Sequence, residues 1–275
     1  MVDNMADSHC TCRDGDPIIT VRDLHKSFSG HHVLRGVNLD ILKGESFVIL
    51  GRSGCGKSVL LKHMIGVMRP DSGRILLDGK NVTEMTGAEL NAVRRRFGMV
   101  FQGGALFDSM SVEENVGFGL AEHAGMRAAD IAKVVGEKLS LVGLSGTEAL
   151  MPAELSGGMM KRVALARAIA FEPEIVLYDE PTTGLDPVTA DSINKLMAKM
   201  QKTLGVTSII VTHDLKSAYE VGDRVAMMES GVVKYCDETM NAPRSDNTEM
   251  RRFFQASGVI FAEPKKWPEG EGERS

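Results

Sequence analysis

The sequence has few cysteines and lacks long apolar runs, and both absences narrow the class of protein. Four cysteines among 275 residues are too few and too scattered for a disulfide framework. Cys10 and Cys12 lie beside His9, but this spacing matches no zinc-binding pattern. No stretch comes near the roughly eighteen uninterrupted apolar residues that a membrane-spanning helix needs. The polar N-terminal residues have no apolar signal core, so we expect a flexible leader over residues 1–16 and a cytoplasmic protein.

The charge balance argues against a nucleic-acid-binding protein. The net charge is −5, and such proteins are usually basic. The local cluster at Arg94, Arg95 and Arg96 is more typical of a solvated helix face. A hydrophobic fraction of 43% and a charged fraction of 25% are those of a soluble globular protein.

A glycine-rich stretch between an apolar segment and a helical one predicts a phosphate-binding loop. Residues 46–50 are typical of a buried strand, and residues 59–65 have helical spacing. Between them stand Gly51, Arg52, Ser53, Gly54, Cys55, Gly56, Lys57 and Ser58. The glycines let backbone amides turn inward, and the helix that follows directs the positive end of its dipole at the same point.

The end of this loop has the residue types that bind ATP and Mg²⁺. Lys57 can reach the terminal phosphates, the Ser58 hydroxyl can hold the metal, and Val59 continues into the helix. A glycine-rich turn can also serve packing alone, but the Gly-Lys-Ser ending in this context favours nucleotide. Because Cys55 lies inside the loop, we expect its oxidation or alkylation to obstruct the nucleotide.

Three other apolar segments end in polar residues suited to phosphoryl transfer. Gln102 can reach the metal or the attacking water, or merely cap a turn. Phosphoryl transfer needs a metal and a positioned water, so Asp179 suits magnesium and Glu180 the water. His213 follows a third such segment, which makes it a candidate for sensing the γ-phosphate, although a single histidine is more often structural.

A second anion site is predicted where a helix begins. Ser156, Gly157 and Gly158 precede an alanine-rich helical segment, so bare amides, a hydroxyl and a helix dipole would face outward together. The alternative is that Ser156 is an ordinary N-cap. Two phosphate-recognising helix ends in one chain need two ligands, or one ligand shared between two subunits.

The order of segments predicts an α/β protein. Short β-rich segments before and after the phosphate loop indicate an antiparallel β subdomain, and residues 103–160 indicate an inserted helical subdomain. Residues 224–234 predict a closing hairpin. Phe28, just before a glycine turn, can stack on a base or belong to the core.

Together and in this order, these motifs resemble the ATPase subunit of an ABC transporter over roughly residues 18–235. The resemblance implies a P-loop NTPase with a RecA-like core over residues 17–240, and a C-terminal helix and tail over residues 241–275. It also implies that two copies enclose two ATP molecules, each held by one subunit's phosphate loop and the other's Ser-Gly-Gly helix. Asp186 and Phe28 match nucleotide-contacting positions of the family.

A narrower resemblance is to the Mla-type ATPases of phospholipid transporters built around an MCE protein. It is carried by residues 58–66, 101–109 and 155–162, where Met159 replaces the glutamine common in other ABC ATPases. It implies a homodimer on the cytoplasmic face of the inner membrane, with MlaE-like permease subunits, an MlaD-like MCE protein and an MlaB-like STAS-domain protein. Phe28 in place of tyrosine and the bulky Tyr178 depart from the usual pattern.

Rival interpretations stay open at this point. A soluble ABC ATPase of DNA repair or translation would usually carry a coiled coil or a second cassette, and this chain has neither. A nucleotide-switch module would lack a water-activating residue such as Glu180. The helix predicted over residues 247–257 can pack on its own domain, or its tail over residues 258–267 can reach the other subunit.

Overall fold

The computed structural model describes residues 10, 16–123 and 125–257. The strands are β1 Pro17–Phe28, β2 His31–Leu42, β3 Ser46–Leu50, β4 Ser72–Leu77, β5 Lys80–Asn81, β6 Phe97–Val100, β7 Ile175–Asp179, β8 Thr207–Thr212, β9 Arg224–Glu229 and β10 Val232–Glu238. The helices are α1 Lys57–Met64, α2 Gly87–Arg95, α3 Val112–His123, α4 Ala128–Leu141, α5 Gly157–Ala168, α6 Pro187–Leu204, α7 Leu215–Val221 and α8 Thr248–Ser257.

The larger sheet has six strands in the order β10-β9-β3-β8-β7-β6. All neighbours are parallel except β9 and β10, which form the predicted closing hairpin. Strands β3 and β8 are buried along their whole length, as expected for parallel strands covered on both faces. This is the predicted α/β core.

The smaller sheet is antiparallel, with strands in the order β2-β1-β4-β5. Alternate residues of β3 point to opposite faces of the large sheet. Phe47 and Ile49 face the small sheet and α1, whereas Val48 and Leu50 face the opposite, helical side. The phosphate-loop strand is therefore held between the antiparallel layer and the helices.

Helices α3, α4 and α5 pack against one another on that second face. The fully buried Asn115 fixes the segment that leads into α3. Its amide nitrogen donates to the carbonyls of Phe107, Met110 and Ser111, and its Oδ1 accepts from the Phe107 amide at 2.8 Å. Within the described ranges, none of the helices is both long and apolar enough to cross a bilayer.

One pair of cysteines lies close together, although the cysteine count predicts no disulfide framework. The structure joins Cys10 and Cys236 by a disulfide, with the Cα atoms 5.3 Å apart. Cys10 is buried, and its carbonyl accepts the Asp40 amide at 2.9 Å. The two cysteines are 226 residues apart in the chain, so their spacing gives no local signal. The remainder of the predicted leader through residue 15, and the predicted tail beyond residue 257, lie outside the described residues.

Candidate nucleotide-binding site

The parallel order of β3, β8, β7 and β6 brings the predicted site residues to one edge of the sheet. The phosphate loop follows β3, Gln102 follows β6, Glu180 follows β7 and His213 follows β8. Carboxyl ends of parallel strands meet at the same edge, where open α/β sheets bind ligands. Four separate stretches of sequence thus form one site.

The phosphate loop, residues 51–58, curls around the Lys57 ammonium. Lys57 is 4% exposed, and its Nζ donates to the carbonyls of Gly51 at 2.7 Å and Arg52 at 3.0 Å. Gly56 has φ 105°, and a Cβ there would lie 2.9 Å from the Val33 carbonyl oxygen. Only glycine satisfies both the backbone conformation and this close approach.

Two oxygen atoms suited to a divalent cation meet beside the loop. The Ser58 hydroxyl donates to Asp179 Oδ1 at 2.8 Å. Magnesium prefers hard oxygen ligands and is usually bound through one or two carboxylates together with substrate phosphates. The donor set of Ser58 and Asp179, with Gln102 lining the adjacent cavity, therefore fits Mg²⁺.

Glu180 is held by two neighbours in an unusual backbone conformation. Its φ is +51°, a left-handed value that is uncommon outside glycine and concentrated at functional sites. Its Oε2 accepts from Thr183 Oγ1 at 2.7 Å and lies 2.5 Å from His213 Nδ1. Its Oε1 is 3.8 Å from Lys57 Nζ. The two contacts of Oε2 thus fix the orientation of the carboxylate.

These groups line a cavity of about 360 Å³ formed by Val33, Ser53, Gly54, Gly56, Lys57, Ser58, Val59, Gln102, Glu180, Thr183 and His213. Val33 and Thr183 were not predicted. Thr183 could have been found, since it follows Glu180 by one turn of chain. No pattern in the sequence around Val33 indicates a site residue, because Val33 reaches the cavity only through the packing of β2 in the folded protein.

Some predicted residues lie behind the cavity instead of lining it. Gly51 and Arg52 contribute carbonyls to Lys57. The Cys55 thiol is buried against Gly51, where an added Cβ would be 2.8 Å from the sulfur. Burial raises the pKa of Cys55, which disfavours the reactive thiolate. That oxidation or alkylation of Cys55 obstructs the nucleotide stays a prediction.

The second predicted anion site lies at the start of α5, outside the cavity lining. Ser156 Oγ accepts the Met159 amide at 3.3 Å, so Ser156 is the N-cap of α5. Asp186 likewise caps α6, and hydrogen bonds from Thr189 lower its pKa. The two helix starts adjoin, because a Cβ on Gly158 would be 2.8 Å from Thr189 Cγ2. Within the part of the chain that the structure describes, the cavity lining does not include Ser156, Gly157, Gly158 or Asp186.

Phe28 also lies apart from the cavity lining. It stands at the tip of the β1–β2 hairpin, paired with His31, and is 41% exposed. Lys26 Nζ lies 5.5 Å from the centroid of its ring. Its predicted adenine contact stays a prediction.

The fold and this site define a P-loop nucleotide-binding protein. The family model described as ABC transporter matches residues 34–183. The chain therefore belongs to the ABC transporter family, in which it has the fold of the ATP-binding cassette.

Similar proteins and solved structures also belong to the class of ATP-binding cassettes. The chain is 36% identical to the intermembrane phospholipid transport system ATP-binding protein MlaF of Escherichia coli K12, covering 92% of this chain and 94% of that protein. It is 45% identical to the probable ribonucleotide transport ATP-binding protein mkl of Mycobacterium leprae, covering 76% of this chain but spanning only 60% of that relative's length.

Among solved structures, cbiO1 of Clostridium perfringens, part of an ABC transporter complex, has a TM-score of 0.77 at 35% identity, covering 87% of this chain and 95% of that one. A dimeric ATP-binding cassette in a post-hydrolysis state with ADP and Pi has a TM-score of 0.74 at 31% identity, covering 80% of this chain and 98% of that one.

Proposed function

We propose that this chain is the ATP-binding and hydrolysing subunit of an ABC transporter that moves phospholipid between membranes. Lys57, Ser58, Glu180 and His213 line one cavity, and Asp179 accepts a hydrogen bond from Ser58 beside it; this arrangement carries the proposal of ATP hydrolysis. Similarity to MlaF over nearly the whole of both chains supports phospholipid as the cargo.

Each residue has a role that follows from its position. Lys57 and the loop amides bind the terminal phosphates, while Ser58, Asp179 and Gln102 hold Mg²⁺, which would neutralise charge on the phosphates. Because Glu180 Oε2 is engaged by Thr183 and His213, Oε1 is the oxygen that accepts a hydrogen bond from water and orients it.

The separated anion site at Ser156 favours a homodimer. A helix start with a hydroxyl and two glycine amides fits a phosphate, yet it lies outside this chain's own cavity. The fold's dimeric relative carries ADP and Pi. We infer that Ser156, Gly157 and Gly158 of each subunit, together with Asp186, complete the ATP site of the other.

The inferred partners beyond the second copy are permease subunits, an MCE protein and a small STAS-domain protein, with the ATPase on the cytoplasmic face of the inner membrane. The mycobacterial relative's name suggests ribonucleotide as a second candidate cargo. Affinity purification from native membranes, followed by identification of co-purifying proteins and lipids, separates the two. A permease and an MCE protein with bound phospholipid support the first candidate.

The proposed chemistry is tested with Glu180→Gln. This change keeps the shape of the side chain but removes the carboxylate that orients water, so turnover should fall by about 100-fold or more. ATP binding should persist, and light scattering should show that the dimer accumulates. Lys57→Ala is the comparison, because it should lose both turnover and binding. Equal turnover in the wild type and the Glu180 variant would refute the assignment.

A further inference from the structure

Helix α5 contacts the segment that carries Gln102, although its Ser156 end lies outside the cavity. The relevant segment is the Gln102 loop, residues 102–105. Lys161, one turn into α5 beyond Ser156, donates from Nζ to the Gln102 carbonyl. Arg167, nearer the end of the same helix, donates to the carbonyls of Ala105 and Gly104, each at 2.7 Å. Two cations of one helix thus bind three carbonyls of one loop.

The shape of the loop makes these contacts specific. Gly104 and Ala105 have φ values of +77° and +48°, and an ordinary residue such as Ala105 adopts such a value only when its surroundings impose it. A Cβ on Gly104 would lie 3.6 Å from the Met160 carbonyl, so the loop packs directly on α5.

Lys161 is an unusual residue for a helix interior. It is only 6% exposed, and lysine is rarely so buried unless it has a defined partner. Burial lowers its pKa, and the negative charge of Glu180 opposes this effect. The ammonium therefore lies within electrostatic reach of the residue that orients water.

We propose that Lys161 is a positioning residue that fixes the Gln102 loop of a subunit's own ATP cavity to the helix whose Ser156 end serves the partner's ATP. Arg167 secures the far end of the loop. The functional consequence of this contact rests on the proposed function. When the partner's ATP binds the Ser156 end of α5, the helix shifts Gln102 toward the ATP of its own subunit, so the two sites bind ATP cooperatively. The contact itself does not depend on that function.

The first experiment measures hydrogen exchange without nucleotide in wild type, Lys161→Met and Lys138→Met. Lys138 is the matched control, since it is also 6% exposed in the helical layer but pairs with Glu172 at 3.0 Å. In Lys161→Met, exchange across residues 101–106 should rise about 5-fold or more, while Lys138→Met leaves it unchanged. Unchanged exchange in a folded Lys161→Met protein overturns the positioning role.

The second experiment measures ATP binding and turnover against ATP concentration. Lys161→Met should raise KM by about 5-fold and bring the Hill coefficient toward one, and Lys161→Arg, which keeps a donor, should restore both. Wild-type KM and Hill coefficient in Lys161→Met overturn the coupling. If the wild type itself does not hydrolyse ATP, the proposed function fails, and the exchange experiment still decides the positioning role.

Discussion

The edge of the parallel sheet and the start of α5 both have phosphate-binding chemistry, but they differ in their surroundings. At the sheet edge, Lys57, Ser58 and Glu180 already have partners within the chain and line a cavity of about 360 Å³. At α5, Ser156 only caps its own helix. Under the proposed function, the first site is nearly complete in one subunit, whereas the second binds the ATP held by the other subunit.

A mixed dimer tests whether the two regions act on the same ATP or on the ATP of different subunits. Lys57→Ala and Ser156→Arg should each abolish turnover alone, because every site then lacks one half. Mixed in equal amounts, they should recover about a quarter of wild-type turnover, since half of the dimers have one intact site. Turnover is measured after dissociation and remixing. Absence of recovery, with heterodimers shown to form, would mean that both residues act on the same subunit's ATP.

Substitution of His213 tests how Glu180 is positioned at the sheet edge. His213→Ala removes the group 2.5 Å from Glu180 Oε2, so kcat should fall about 100-fold while ATP affinity changes little. Thr183→Val removes the other hydrogen bond to that oxygen and should cost about 10-fold. Steady-state kinetics and nucleotide binding check both. An affinity loss as large as the rate loss would show that His213 binds nucleotide instead of positioning Glu180.

Substitution of Gly158 tests whether the start of α5 contributes to dimerisation. In Gly158→Ala the new methyl group would lie 2.8 Å from Thr189 Cγ2, so either the Thr189 side chain or the spacing of α5 and α6 has to change. ATP-driven dimerisation should weaken about 10-fold, with ATP binding to the monomer unchanged, as measured by sedimentation and titration. Gly136→Ala in α4 is the control, because a Cβ there meets nothing within 4 Å. Loss of monomer binding would contradict the separation of the two regions.

The smallest effect concerns the helix behind the phosphate loop. His63 in α1 is 1% exposed, and burial lowers its pKa. The unfolded chain therefore binds a proton at higher pH than the native one, so this contribution to stability is full above about pH 6.5 and falls as the pH drops further. His63→Gln should show a Tm loss between pH 7.5 and 5.5 that is about 2 °C smaller than in wild type. The exposed His31 is the control, and His31→Gln should leave the Tm loss between pH 7.5 and 5.5 equal to that of the wild type.

Local sequence was sufficient for much of the site. The phosphate loop, the strand-end carboxylates and the helix caps each depend on a few consecutive residues, whose backbone preferences and chemistry are readable without knowing the fold. The α/β class and the closing hairpin were also predicted, because alternating strand and helix segments and two β-rich runs joined by a glycine turn are visible in the sequence. The domain boundaries and the catalytic roles stay predictions.

The contacts between residues far apart in the chain became visible only in the folded structure. Val33 reaches the cavity through β2, Cys10 bonds a residue 226 positions away, and Lys161 donates to a carbonyl 59 positions earlier. It also separated Ser156 from the cavity that its chemistry matches. Such contacts depend on strand order and helix packing, which sum many weak interactions across the chain and leave no pattern in neighbouring residues.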